Sequence, residues 1–358
     1  MGYFGTSKEL VTESRLFGLL LGTAVGDAVG LPREGLGPRR AQRLFGEPPL
    51  HHRLIAGRGL VSDDTEHACL VADALLDSPD DPDAFGRALA RRFRLWLAAL
   101  PAGVGLATLR SGLKLWAGFG HRRSGVYSAG NGPAMRAPLL GAFFTEDTDR
   151  LRAFLRVSTR LTHTDERAFE GAWMVARAAS LAAGGVPVGP MVSRLRAEAS
   201  DPEMARLLGA IETALGEGLS CVNFAARIGV GAGGVTGYIY QTVPVALYCW
   251  WRAADFRSAV ESAIVLGGDT DTVAAITGAL AGSALGAEAI PREWVDGLWG
   301  RPDAPGLERL ARDLLRRRRG ENVPPPPLWS AWPAQAAKNA VLLPIVLGHG
   351  LRRLLPPY

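Results

Sequence analysis

The sequence predicts an all-α protein, a compact single-domain helical bundle, on three observations. Six stretches (66–76, 82–100, 149–161, 167–183, 190–199 and 201–215) carry apolar residues at helical spacing. Runs of Val, Ile and Thr alternating with polar residues are rare, so there is little from which to build a sheet. Glycines recur every fourth residue in two apolar segments, at Gly18, Gly22, Gly26 and Gly30 and at Gly278, Gly282 and Gly286. On a helix that spacing stacks them along one face. Each costs about 1 kcal/mol against alanine in a helix interior, so the ladders need a packing reason: two central helices approached closely by neighbours or by each other. The use of such spacing in membranes is disfavoured because Asp27, Asp269 and Asp271 interrupt or bound the runs.

In chain order, the apolar run 16–26 has the length of a signal-peptide core but no basic leader. Lys8 and Arg15 are offset by Glu9 and Glu13, and Asp27 closes the run. Met1-Gly2 with Thr6 fits the loose myristoylation pattern, a signal too short to carry weight. Residues 61–66 open an amphipathic helix. Segments 118–133 and 229–237 read as long glycine-rich loops, which in a compact domain are usually functional or disordered. The second ladder belongs to a helix over 273–285. Arg316-Arg317-Arg318-Arg319-Gly320 reads as a helix end, where cations suit the dipole. Prolines 324–327 then form a rigid connector. The tail beyond holds Trp329, Trp332 and the apolar run 340–347, broken by Pro344 and followed by Arg352-Arg353. It is too short to span a bilayer, and reads as docking back on the domain or meeting a partner or membrane surface. The division is a main domain over 1–320 and a connector and apolar tail over 321–358, with no transmembrane segment.

Composition sets the class. Of 358 residues, 47% are hydrophobic and 21% charged, the balance of a globular protein with a substantial core. The net charge of +5 owes much to arginine clusters such as Arg91-Arg92 and Arg122-Arg123. No basic stretch interleaves aromatics as nucleic-acid binders do, so the excess reads as a solvated surface. Cys69, Cys221 and Cys249 are odd in number and sit in apolar contexts, which points to buried free thiols in a reducing compartment. The expected location is cytoplasmic.

Two motifs carry chemistry. Val61-Ser62-Asp63-Asp64-Thr65-Glu66 opens a helix, and a cap needs only one of its polar residues. Two adjacent carboxylates flanked by hydroxyls repel each other and call for a positive partner. Gly267-Gly268-Asp269-Thr270-Asp271-Thr272 opens another helix, with glycines that let the backbone bend sharply. Its two Asp do not share a helix face and converge only at the turn before the helix or in its first residues. Four Asp match two divalent cations, and all-oxygen donors select hard ions, Mg²⁺ or Mn²⁺, over zinc. The same Asp269-Thr270-Asp271-Thr272-Val273 run resembles the nucleophile motif of haloacid-dehalogenase-type phosphatases. Too little chain follows it for the strand–helix repeats of that fold.

Five motifs together are similar to one family. They are Gly18-Leu19-Leu20-Leu21-Gly22-Thr23-Ala24-Val25-Gly26-Asp27-Ala28-Val29-Gly30, Ser62-Asp63-Asp64-Thr65, Gly130-Asn131-Gly132-Pro133-Ala134-Met135-Arg136, Thr162-His163 and the 267–272 segment. Over about residues 14–300 they resemble, in order, the ADP-ribosylglycohydrolases. The resemblance implies the helical bundle of that family with a binuclear metal cleft holding two Mg²⁺ (or Mn²⁺). It implies hydrolysis of the glycosidic bond joining ADP-ribose to an acceptor, reversing ADP-ribosylation of a protein side chain or a small-molecule conjugate. Arginine, serine, another side chain, a nucleic-acid base and O-acetyl-ADP-ribose all stand open as acceptors.

By position, the resemblance implies Ser62, Asp63, Asp64, Asp269, Asp271 and Thr272 as metal ligands, Ser62 standing where Thr is common. Glu34 or Asp64 is implied as general base. The loop carrying Ser128, Gly130, Asn131, Gly132 and Met135 is implied to wrap ribose and diphosphate through backbone N–H groups and Asn131. His163 matches a position close to the ligand. Gly237-Tyr238 matches the place where an aromatic ring flanks adenine, with Tyr240 as rival. Asp165, Glu166 and Arg167 depart from the family pattern beside His163. The alternative class is a non-catalytic ADP-ribose-binding or structural relative, whose sign is loss of metal ligands; all six positions here carry oxygen donors.

Overall fold

Glycine removes the side chain that keeps two helices apart, and the computed structural model puts both ladders to that use. It describes residues 11–328 and 332–352; the Met1-Gly2 pattern, Trp329 and Arg353 lie outside them. Helix α1 (Glu13–Gly30) and the helix carrying the second ladder run antiparallel in direct backbone contact. A Cβ placed on Gly18, Gly22, Gly26 or Gly30 would lie 2.4, 2.2, 2.1 or 2.5 Å from the carbonyl oxygens of Gly282, Gly278, Ala274 and Thr270 respectively. The neighbour each ladder requires is therefore the other ladder.

Among the described residues the chain is all helix, with no strand, only isolated bridges, which removes the parallel sheet a haloacid-dehalogenase-type reading requires. After α1 come α2 (Pro38–Phe45), α3 (Asp63–Asp77), α4 (Pro82–Ala98), α5 (Leu106–Trp116), α6 (Gly132–Met135), α7 (Ala137–Phe143), α8 (Thr148–Thr162) and α9 (Glu166–Ala183). Then follow α10 (Val188–Glu198), α11 (Pro202–Gly216), α12 (Cys221–Arg227), α13 (Ile239–Arg252), α14 (Phe256–Ile264), α15 (Thr270–Leu285), α16 (Arg292–Gly297), α17 (Ala304–Arg318) and α18 (Trp332–Arg352). All six stretches with helical spacing are helices. Four of them start on aspartate caps, Asp81 on α4, Asp147 on α8, Asp165 on α9 and Asp201 on α11, each accepting a backbone N–H of the first turn.

Helices α9, α13 and α14 pack on α15, while α3, α7 and α17 pack on α1. Among the described residues one helical stretch, Glu13–Arg33, is long and apolar enough to cross a membrane by length and composition, but 83% of its apolar 18-residue window is buried inside the fold, where it forms part of the core. The three cysteines are free thiols, Cys249 buried and Cys69 and Cys221 half-buried. Beyond the proline connector, α18 lies against the α3–α4 side of the body: the Trp332 indole donates to the Leu95 carbonyl at 3.0 Å and the Asn339 amide to that of Ala99 at 2.9 Å.

Candidate active site

The α1–α15 pair brings three distant segments together at one end. The start of α15 is set by Gly267 and Gly268, at φ +71° and +81°, backbone that an L side chain rarely adopts. Gly268 is laced on both sides. Its N–H donates to the Leu36 carbonyl at 2.8 Å and its own carbonyl accepts from Gly35 at 2.7 Å. Val235 donates to Gly267 at 3.0 Å and accepts from the Asp269 N–H at 2.8 Å. The segment after Glu34, the Asp269 turn and the loop leading to Gly237 are thus fixed as one unit.

The start of α3 is held from α1. Ser62 is the N-cap, its hydroxyl accepting from the Asp64 N–H at 3.3 Å. The fully buried Asp27 carboxylate accepts from the Ser62 N–H at 2.9 Å on both oxygens, from the Thr65 N–H at 3.2 Å and from the Thr65 hydroxyl at 2.5 Å. Burial pushes this carboxyl up to about 6, against the lowering effect of those donors. Asp27 was not among the site residues expected from sequence. Its signal was an acid in the middle of an apolar glycine ladder, a placement that needs compensation. The Thr272 hydroxyl donates to Asp64 at 3.2 Å and so joins the two acidic turns.

Glu34, Asp63, Asp269, Asp271 and Thr272 line one cleft of about 700 Å³, whose other walls include Ser128, Gly130, Asn131, Gly132, Met135, His163 and Gly237. Ser62 and Asp64, buried beside it, are reached through Thr272. The Asp63, Asp64 and Asp271 carboxyls are all held well above the ordinary range. Burial is the largest cause, followed by negative neighbours: Glu66, Asp27 and Glu34 for Asp63; Asp27, Asp63 and Asp269 for Asp64; Glu34, Asp269, Asp64 and Asp27 for Asp271. No lysine or arginine lines the cleft among the described residues. One oxygen each of Asp64 and Asp271 is buried without a hydrogen-bond partner, an arrangement that costs free energy unless a donor or a positive charge meets it. The donor set of carboxylates and hydroxyls therefore fits hard divalent cations, although no three His, Cys, Asp or Glu side chains among the described residues already converge as a ligand group.

The opposite wall is mostly backbone, with Gly103, Gly105, Gly231, Gly233 and Gly234 joining Gly130 and Gly132; of these, Gly103 and Gly105 carry no mark in the sequence. The Asn131 amide donates to Asp269 at 2.6 Å and to Thr242 at 3.0 Å, so it braces the acidic cluster and is not free to donate elsewhere. His163 packs on the glycine backbone: a Cβ on Gly130 would lie 2.9 Å from its Nε2. Burial, with the charge of Arg136 second, lowers its pKa to about 3, so it is a neutral ring. Arg136 is fully buried and bonds the Ser158 and Thr162 side chains at 3.0 and 2.5 Å, bracing the turn before His163. Tyr238 does not line the cleft but sits half-buried beside it, its backbone bridged to Gly130, within reach of Arg167, itself paired with Asp165 at 2.7 Å. The rival Tyr240 is buried in the core.

Comparison with known proteins shows the family. The family model for ADP-ribosylglycohydrolase matches residues 8–324. ADP-ribosylhydrolase ARH3 of Danio rerio is 27% identical over 87% of this chain and 95% of its own length. ADP-ribosylarginine hydrolase Tri1 of Pseudomonas putida is 28% identical over 85% of this chain and 78% of its own. A solved structure titled "ADP-ribosylglycohydrolase-related protein complex" superposes with a TM-score of 0.65 at 29% identity, covering 86% of this chain and 98% of that one. The chain belongs to the ADP-ribosylglycohydrolase family.

Proposed function

We propose that this member of the ADP-ribosylglycohydrolase family hydrolyses the bond between the distal ribose of ADP-ribose and an acceptor on an ADP-ribosylated protein or small conjugate. The observation that carries the reading is the single cleft in which carboxylates from three segments face a wall of glycine backbone. The backbone N–H groups of that wall suit a diphosphate, and the carboxylates suit the positive charge that develops at an anomeric carbon.

Two Mg²⁺ or Mn²⁺ ions on Ser62, Asp63, Asp64, Asp269, Asp271 and Thr272 would orient the ribose hydroxyls and lower the pKa of bound water. The chain's own residues do the rest. Asn131 fixes Asp269, and Asp27 fixes the Ser62–Thr65 turn, so that the acids are held before substrate arrives. Glu34, part-exposed in the cleft on the segment laced to Gly268, takes the proton of the attacking water. Neutral His163 shapes the loop around Gly130 and Gly132 without adding a charge.

The test is release of free ADP-ribose from arginine-, serine-, nucleic-acid-base- and O-acetyl-linked conjugates, with and without chelator. Release from at least one, lost in chelator, supports the reading. ADP-ribose binding with no release from any conjugate would turn it into the non-catalytic alternative. A sharper outcome concerns Glu34. Glu34→Gln keeps the shape and removes the base, so turnover should fall by roughly 10²–10⁴-fold. ADP-ribose affinity should hold, because its contacts come from the glycine wall. Wild-type turnover in Glu34→Gln would reject the role, and equal losses of binding and turnover would make Glu34 a binding residue.

A further inference from the structure

We propose that Lys338, on the C-terminal helix α18, is a positioning residue for the acidic turn at the start of α3. The inference rests on the reading of that turn as part of the hydrolytic site. Helix α18 lies beyond the family-matched residues 8–324, so this support belongs to the chain's own tail.

The Lys338 ammonium and the Glu66 carboxylate form an ion pair with both side chains only 3% exposed. The same ammonium donates to the Val61 carbonyl at 3.0 Å. Val61 precedes Ser62, and Glu66 lies in the first turn of α3, so one side chain grips both ends of the segment that carries Ser62, Asp63 and Asp64. The second oxygen of Glu66 accepts the Trp96 indole N–H at 2.5 Å, which fixes the carboxylate from α4. Leu342, one turn further along α18, closes a separate apolar cluster over Leu31, Leu54 and Leu60. Leu31 begins the tight turn Leu31–Arg33 that delivers Glu34. The tail thus braces the acidic turn by charge and the Glu34 segment by packing.

A buried ion pair is weak evidence of stability, but removing one partner leaves the other charged and stranded. Lys338→Met strands Glu66 in the first turn of α3 and strips the Val61 carbonyl of its donor. That turn must then shift or open to let water reach the carboxylate. Lys338→Met with Glu66→Gln removes the stranded charge while leaving an oxygen for Trp96. A helix that merely covers apolar surface would show no difference between the single and double variants.

Amide hydrogen exchange by mass spectrometry on the full chain, with turnover on the same preparations, decides this. In Lys338→Met, exchange at residues 63–67 should speed up by at least about tenfold while the α1–α15 pair keeps its wild-type rates. Turnover should fall with unchanged ADP-ribose affinity, and the double variant should recover most of both. If Lys338→Met does not fold, recovery of folding and local protection in the double variant carries the same conclusion. Exchange that rises everywhere or nowhere, or a double variant no better than the single one, overturns the proposal. If the wild-type chain releases ADP-ribose from no conjugate yet the local exchange pattern holds, the hydrolase reading fails and the positioning role stands.

Discussion

Asp271→Asn should silence hydrolysis and, in the presence of chelator, make the protein more stable than wild type. The two effects share one cause. Asp271 is 5% exposed and one of its carboxylate oxygens has no hydrogen-bond donor. Its charge is disfavoured by burial and by Glu34, Asp269, Asp64 and Asp27. Without a cation, that carboxylate lowers the stability of the fold, and replacing it by a neutral amide of the same shape relieves the repulsion by about 1–2 kcal/mol. With Mg²⁺ or Mn²⁺ present the sign reverses. A ligand that binds only the folded state adds about 2.7 kcal/mol at a hundred times its Kd, and the variant should forgo most of this. Turnover should drop by about 10³-fold or more, the equivalent of roughly 4 kcal/mol of lost transition-state stabilisation. Thermal midpoints of both proteins with chelator and with millimolar Mg²⁺ give a crossing pattern. A variant less stable than wild type in chelator would show that Asp271 is a structural hydrogen-bonding residue. Equal wild-type midpoints under both conditions would count against the two-cation site.

Most of the helices legible in sequence show one apolar face, and several also show a capped start. Helix α4 begins at Asp81-Pro82 and α11 at Asp201-Pro202, where the Asp side chain accepts a first-turn N–H and proline supplies a preformed φ. Helix α13 was not legible. Its residues Ile239, Val243, Val245, Leu247, Tyr248 and Trp250 are buried on all sides and Pro244 lies within it, so neither amphipathic period nor breaker pattern marks it as a helix. Helices α6, α7 and α12 are too short to display a period.

In the cleft, the acids were legible because paired carboxylates at helix starts have no ordinary structural use. The wall at Gly103 and Gly105 was not, since isolated glycines before α5 look like any turn. The partner of Asn131 was also hidden: Asp269 lies 138 residues away, and only the fold makes them neighbours. The same holds for Lys338 and Glu66, 272 residues apart, whose pairing nothing in the sequence marks.

Gly26→Ala should be among the most damaging single substitutions in the chain, although it adds one methyl group and nominally improves helix propensity. A Cβ on Gly26 would sit 2.1 Å from the Ala274 carbonyl oxygen and 2.5 Å from its carbon. The obstacle is backbone of the opposing helix, so no rotamer change clears it. The two helices must move apart, and the neighbouring contacts at Gly22 and Gly30 would loosen with them. Overpacking a well-filled core costs typically about 1–3 kcal/mol and occasionally more; a backbone-to-backbone clash belongs at the upper end, at about 3 kcal/mol or above. The damage should also reach the cleft. Asp27, the next residue, holds the Ser62–Thr65 turn, and Gly30 accepts the Thr270 hydroxyl at 2.9 Å beside Asp269 and Asp271. Gly189 in α10 is the control, because an added Cβ there meets nothing within 4 Å. Gly189→Ala should be neutral or stabilising by up to about 1 kcal/mol, the ordinary gain of alanine over glycine in a helix. Chemical denaturation of the two variants beside wild type measures the difference directly. If Gly26→Ala proves no less stable than Gly189→Ala, α1 and α15 are not in backbone contact, and the acidic cleft rests on a different scaffold.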